Sequence, residues 1–288
     1  MRITEEQKRI LDSLVVERLR ENKEANALLV KSFANEKNPT LVQIIKTDYA
    51  FNKDQEGKAA YYVVKTPAGK LLLYFSLKCG ELFEKLDMEK MQMALRIKNS
   101  VYKIQNKEVF PAEDVEAAES FLHENIEEIK SILPDIESYL DKKDEFKADV
   151  NIELNTEMQR VLRTYPAIEV VEFCANENGR AAWKQLGINR KMGECVFWHC
   201  IVPKLMKVQD EIGCQYVYLF AADTSLDGDL ANYYKVALHF EQSATLGANK
   251  PQYDFQCFFL CQEMNKLIQR QNEFYEYFNP DEEETEQV

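Results

Sequence analysis

Between residues 4 and 33 the apolar positions Ile10, Leu11, Leu14, Val15, Leu19, Leu28 and Leu29 recur at helical spacing among charges. That period predicts one or two amphipathic helices. Asn38-Pro39 interrupts the pattern, and residues 41–47 and 59–66 then read as strands. Pro67-Ala68-Gly69-Lys70 has turn chemistry, so 59–66 and the apolar run 71–77 are predicted to pair as a hairpin. From Gly80 to about Leu162 the chain is rich in Glu, Lys and Met, with prolines at 111 and 134, and predicts three or more helices, clearest over 112–133. From Ile168 the pattern alternates: a strand over 168–175, a short helix over 180–186, an apolar helix over 195–212 and a strand over 215–222. A helix over 229–238, strands over 240–245 and 253–263, and a last helix follow. The acidic run Asp281–Glu286 is expected to be disordered and solvated.

Composition narrows this picture. The 288 residues are enough for one large domain or two small ones, and 45% hydrophobic content supports a substantial core. A net charge of −13 argues against a broad surface for nucleic acid or anionic membrane, so neither partner is expected, although a local basic pocket fits within the acidic field. The first residues carry mixed charge without an apolar signal core, and no apolar run approaches the ~20 residues of a membrane span; the expected location is cytoplasmic. Seven cysteines, mostly inside apolar runs, read as buried free thiols in a reducing compartment. They lack paired CxxC spacing, and the three histidines are far apart, so no metal is expected.

The segment with the most chemical content is Arg190-Lys191-Met192-Gly193-Glu194-Cys195. Arg-x-x-Gly-x-small at a helix start suits a pyrophosphate: small residues let backbone N–H groups approach the oxygens, and the positive end of the helix dipole faces the charge. An ordinary charged loop before a buried helix would read the same way in isolation. The order strand, loop, helix, strand around the hexad favours the phosphate site.

In that order, residues 165–264 resemble the GNAT superfamily of acetyl-CoA-dependent N-acetyltransferases. The family signature, Arg/Gln-x-x-Gly-x-Gly/Ala between the fourth strand and a long helix, is matched by Arg190, Gly193 and Cys195. The run Gln215–Ala222 resembles the fifth strand, and Asp229–Lys235 through His239-Phe240 resembles a helix that carries a tyrosine near the CoA sulfur. Four features depart from the family: a thiol at Cys195, a stretch of about 14 residues including Trp183 before the hexad where the family has a short loop, Pro203 inside the long helix, and His239 where the family has glycine. Pro203 is expected to kink its helix.

The resemblance implies an α/β protein with a GNAT-like mixed sheet and a helical insertion between the third and fourth strands. On this reading residues 1–38 are an N-terminal helical segment, 39–79 the first strands and 80–164 the insertion. Residues 165–265 form the acyl-CoA-binding half, and 266–288 a C-terminal helix and acidic tail. Phe173, Ala175, Arg190, Lys191, Met192, Gly193, Glu194, Cys195 and Asn232 are expected to hold acetyl-CoA. Acetyl transfer needs a neutral amine and a protonated leaving thiol. Glu169 and Glu172 differ by three positions, so a regular strand would turn them to opposite faces and only one can point at the cleft; Glu172, nearer the strand end where the sheet splays, is the expected base. Tyr234 and Tyr233 compete as the acid, a phenol being suited to protonate a thiolate. The expected acceptor is an amine on a small molecule or protein, the insertion is expected to line its pocket, and a homodimer is allowed for. The rival readings are a catalytically silent GNAT-fold module that binds CoA or a protein, and an unrelated α/β scaffold.

Overall fold

The computed structural model describes residues 1–141, 161–222, 228–249 and 257–279, in two compact units. The first comprises 1–82, 165–244 and 248–288, the second 83–164 and 245–247. The chain is a mixed α/β protein whose described residues hold a mixed sheet of seven strands.

In the first unit the chain begins with α1 (Glu5–Asp12), closed by a reciprocal cap in which Thr4 and Gln7 each bond the other's backbone. Helical periodicity does not continue: Val15–Arg18 is an edge strand, β1, paired antiparallel with β2 (Ala60–Lys65). The β-branched pair Val15-Val16 suits that strand. After α2 (Lys23–Val30), the expected strand over 41–47 is instead helix α3 (Pro39–Lys46). Pro39 sits in its first turn, where its fixed φ favours a helix, and the apolar residues 41, 42 and 45 share one helical face. Helix α4 (Asp48–Gln55) follows, capped by Thr47, and precedes the hairpin of β2 with β3 (Leu71–Lys85).

Beyond β3 the sheet continues with β4 (Val161–Ala175), β5 (Tyr216–Ala222) and a last strand after it. Between β4 and β5 lie α9 (Arg180–Gln185) and a continuous helical run over 192–212. This run consists of α10 (Met192–Val196), a π-helical turn (Phe197–Ile201) and α11 (Val202–Ile212). Pro203 cannot donate to the carbonyl one turn back, and the widened turn ends two residues before it, at Ile201. After β5 come α12 (Asp229–Val236), β7 (Cys257–Glu263) and α13 (Leu267–Glu276). The expected strand over 240–245 is reduced to one bridge, Glu241 with Cys261. His239, where the resemblance calls for glycine, has φ +56, the left-handed region that glycine enters at no steric cost. The first part of the expected 253–263 strand and the acidic tail lie outside the described residues.

Apolar side chains bury both faces of this sheet. On one, Val64, Phe75, Ile168, Val170, Val217 and Leu219 pack with Val196, Phe197, Trp198, Ile201 and Leu205 of the long helical run. Trp198 is fully buried, and its indole N–H donates to the carbonyl of Ala237 at 2.9 Å. On the other, Tyr61, Val63 and Tyr74 pack with Phe33, Ile45 and Phe51 from the α2–α4 region.

The second unit holds α5 (Met88–Gln105), α6 (Ala112–Glu124), α7 (Ile126–Ile132) and α8 (Ile136–Asp141) around Met91, Ala94, Ile97, Ile129 and Ile132. Asp87 caps α5 through bonds from the N–H groups of Glu89 and Lys90. The two-residue strand β6 (Leu246–Gly247) pairs with Glu84 and Phe83 of β3.

Candidate functional site

The sheet of the first unit opens at one point. β4 and β5 pair in parallel from Ala167/Tyr216 to Glu169/Tyr218; β5 then continues with β7 as far as Ala222, while β4 runs on to Ala175. A cavity of about 440 Å³ lies at the free end of β4. Phe173, Cys174 and Ala175 form one wall, Lys191, Met192 and Gly193 a second, and Leu230, Tyr233 and Tyr234 of α12 a third. Arg180, Trp183 and Lys184 of α9, with Asn35 and Asn38 before α3, Leu73 of β3 and Arg190, complete it.

Of the expected cofactor residues, Phe173, Ala175, Arg190, Lys191, Met192 and Gly193 line this cavity; Glu194, Cys195 and Asn232 are not among its lining. Asn232 is exposed on α12. Cys195 is fully buried, and burial pushes its thiol pKa up. The helix start carries no side-chain cap, so its first N–H groups keep their free direction. Gly193 has a visible steric reason: a methyl group built there would fall 2.7 Å from the Tyr233 phenol oxygen and 3.5 Å from Phe173 Cζ.

Arg190 faces the C-terminal segment. It pairs with Glu194 at 2.6 Å, donates to the carbonyl oxygens of Tyr277 and Phe278, and stacks 5.4 and 5.6 Å from the rings of Phe274 and Phe278. Its own carbonyl accepts from the Trp183 indole at 3.0 Å, which fixes the end of the loop. The arginine of the hexad is therefore a strut whose donors are largely occupied.

Tyr233 and Tyr234 both line the cavity, so adjacent positions on α12 do not leave one of them outside. Burial raises both phenol pKa values above the ordinary range and keeps the protons on oxygen near neutral pH. Glu172 is buried outside the cavity lining, where Tyr61 donates to Oε1 at 3.1 Å and Ser76 donates to Oε2. Desolvation raises its carboxyl pKa, partly offset by those two hydroxyls.

The expected division of Glu169 and Glu172 between opposite faces does not hold. Glu169 accepts from Lys78 at 3.1 Å and Tyr218 at 3.2 Å, whereas Glu172 binds Ser76. Ser76 and Lys78 are two apart on β3 and share a face, so both carboxylates lie on it. A three-residue offset reaches one face only where a strand is irregular. At Glu172 the backbone N–H donates to the Ser76 hydroxyl at 3.1 Å.

Sequence reading missed Asn35, Asn38, Leu73, Arg180, Lys184 and Leu230. The signal for Arg180 and Lys184 was their place on a predicted short helix with Trp183, next to the hexad. Among the described residues no group of three or more His, Cys, Asp and Glu side chains is placed to hold a metal ion, and no helix is long and apolar enough to cross a membrane.

No protein-family model matches the chain, and no curated protein matches it. Solved structures with a likeness include AtaTR bound with AcCoA, at 10% identity and a TM-score of 0.46, covering 90% of this chain and 98% of that one. A KacTA–DNA complex has 9% identity and a TM-score of 0.43, covering 89% and 97%. AtaT complexed with acetyl-methionyl-tRNAfMet has 10% identity and a TM-score of 0.39, covering 89% and 98%. The last two correct the expectation that nucleic acid is excluded, since those proteins are seen with DNA and with tRNA. That exclusion rested on a net charge of −13, and local charge, not the sum, decides what a surface attracts.

Proposed function

We propose that the chain is an acyl-CoA-dependent N-acyltransferase of the GNAT type, moving acetyl from acetyl-CoA to an amine by direct attack. The observation that carries this reading is the cavity where β4 leaves β5, walled by the end of β4, the glycine-bearing helix start and two tyrosines. The residues present suit such a ligand. Arg180, Lys184, Arg190 and Lys191 line the cavity without a carboxylate among the lining, in a chain of net charge −13. Gly193 leaves room that a side chain would fill.

Acetyl-CoA supplies a thioester acyl group when bound. Lys191 and the uncapped N–H groups after it hold the pyrophosphate, with Gly193 permitting close approach. Phe173 and Ala175 border the pantetheine arm. Glu172 is the proposed base; because it lies outside the cavity lining, the proton of the acceptor amine reaches it through a relay and not by direct contact, and a carboxyl whose pKa is raised by desolvation is a better base than an exposed one. The amine nitrogen forms the new C–N bond, the C–S bond breaks, and Tyr234, or Tyr233 beside it, gives its proton to the sulfur. Cys174 lines the same cavity, but burial pushes its thiol pKa up to about 12, which disfavours an acyl-cysteine intermediate. The acceptor is an amine on a small molecule or a macromolecule. We place the chain in the cytoplasm, where cysteines that are mostly buried in apolar surroundings are chemically at home.

The test is release of CoA thiol from acetyl-CoA with a panel of amines. Tyr234→Phe and Glu172→Gln are each expected to slow turnover roughly a hundredfold without unfolding the chain. Binding of acetyl-CoA without thiol release for any amine would make the chain a silent binder, and full activity in both variants would refute the assigned roles.

A further inference from the structure

The arginine that a phosphate-binding hexad would be expected to offer is occupied by Glu194 and by the carbonyl oxygens of Tyr277 and Phe278. Three other cations still line the cavity: Lys191, and Arg180 and Lys184 one turn apart on α9. Residues at i and i+4 of a helix project from the same face, so Arg180 and Lys184 act as a pair. Lys184 and Lys191 make no ion pair among the described residues, and Arg180 has only a loose one, 3.6 Å from Glu177, with its own side chain 64% exposed. Trp183 lies between them in sequence, 6% exposed, with its indole bonded to the carbonyl of Arg190. Gly179, immediately before α9, packs where a methyl group would meet the carbonyl oxygen of Leu71 at 2.6 Å. The helix is thus fixed before its first residue and at Trp183, while Lys184 and the loosely paired Arg180 line the cavity.

The surroundings decide on which flank a phosphate belongs. The depression on the far side of Arg190 and Lys191 is lined by Glu194, Glu273 and Glu276, which repel an anion. The cavity beside α9 has no carboxylate in its lining.

We infer that α9, carried by the extra residues between β4 and the glycine-bearing helix, is a phosphate-binding element in which Arg180 and Lys184 hold phosphate of the CoA nucleotide. This rests on the proposed acyl-CoA reading and assigns to α9 the anion recognition that Arg190 has given up. Arg180 offers a planar fork to phosphate oxygens, and Lys184 a point charge beside it. The pyrophosphate and the 3′-phosphate share this chemistry.

The experiment is calorimetric titration of the full chain and of the double variant Arg180→Ala/Lys184→Ala with acetyl-CoA, 3′-dephospho-acetyl-CoA and acetyl-pantetheine. The expected result is that the double variant binds acetyl-CoA at least tenfold more weakly than the wild type, while acetyl-pantetheine, which has no nucleotide phosphate, binds both proteins equally. A tenfold preference of wild type for acetyl-CoA over its dephospho form, lost in the variant, assigns the pair to the 3′-phosphate. A loss that is equal for both assigns it to the pyrophosphate. Because both side chains are solvated, the melting temperature of the variant should stay within about 2 °C of wild type. If the variant binds acetyl-CoA within twofold of wild type, the inference is wrong and the acyl-CoA reading stands. If wild type binds none of the three ligands, the acyl-CoA reading itself fails.

Discussion

Gly193→Ala separates the two reasons a glycine can stand at the start of the long helical run. For stability, two terms of similar size oppose each other. Alanine gains up to about 1 kcal/mol over glycine within a helix, and less in the first turn. Against this, the added methyl lies 2.7 Å from the Tyr233 phenol oxygen, closer than contact distance by about 0.5 Å, and over-packing of this kind costs roughly 1–3 kcal/mol. The net loss is therefore about 1 kcal/mol, or about 3 °C in a protein of this size. For binding, no such compensation exists, because the methyl occupies the face from which phosphate oxygens must reach the backbone N–H groups. Calorimetric titration should then show acetyl-CoA bound at least tenfold more weakly, alongside a nearly unchanged melting curve. Adding Tyr233→Phe removes the oxygen and should restore the melting temperature without restoring affinity. Equal affinity of Gly193→Ala and wild type would refute the phosphate role and leave packing against Tyr233 and Phe173 as the reason for the glycine.

Other outcomes follow from the same structure. Arg190→Ala should lower stability by about 2 kcal/mol, seen as a fall of about 5 °C in scanning calorimetry, because charge-assisted bonds to two carbonyls are lost and Glu194 is left half-buried without its partner. Arg190→Lys should not rescue it, since one ammonium cannot reproduce the fork. For Glu172, whose folded pKa lies above its unfolded value, the native state binds the proton more tightly. Its contribution is favourable below the unfolded pKa of about 4.5 and is lost as pH rises through the raised folded value. The stability of Glu172→Gln relative to wild type should therefore increase with pH across that window in denaturant titrations, and a constant difference would contradict the burial argument. Thiol labelling with a maleimide should modify Cys79 first, as the one exposed cysteine of the seven, and slow reaction at Cys174 should be slowed further by acetyl-CoA.

What the sequence disclosed depended on the range of the interaction. The hairpin at 67–70, the helical region after β3 and the strand–helix–strand order around the hexad are written in local period and turn chemistry. Residues 41–47 misled because five of seven are apolar or β-branched, although Asn38-Pro39 in front of them is also a helix-start signal. Residues 15–18 continue a helical pattern until β2 offers them a sheet edge, a tertiary choice. Glu169 and Glu172 were divided by the rule of alternation, which is blind to an irregularity inside a strand. Arg190 carried the right residue type for phosphate, yet its partners lie 87 and 88 positions along the chain, beyond any local pattern. The α9 cations were visible as residues and invisible as a pair facing a cavity.

The measurement that bears most directly on the whole account is titration of the unmodified chain with acetyl-CoA, read as heat and as a shift of the melting temperature. The account predicts saturable one-to-one binding with a rise in melting temperature that grows with ligand concentration. No heat and no thermal shift at millimolar acetyl-CoA would contradict it.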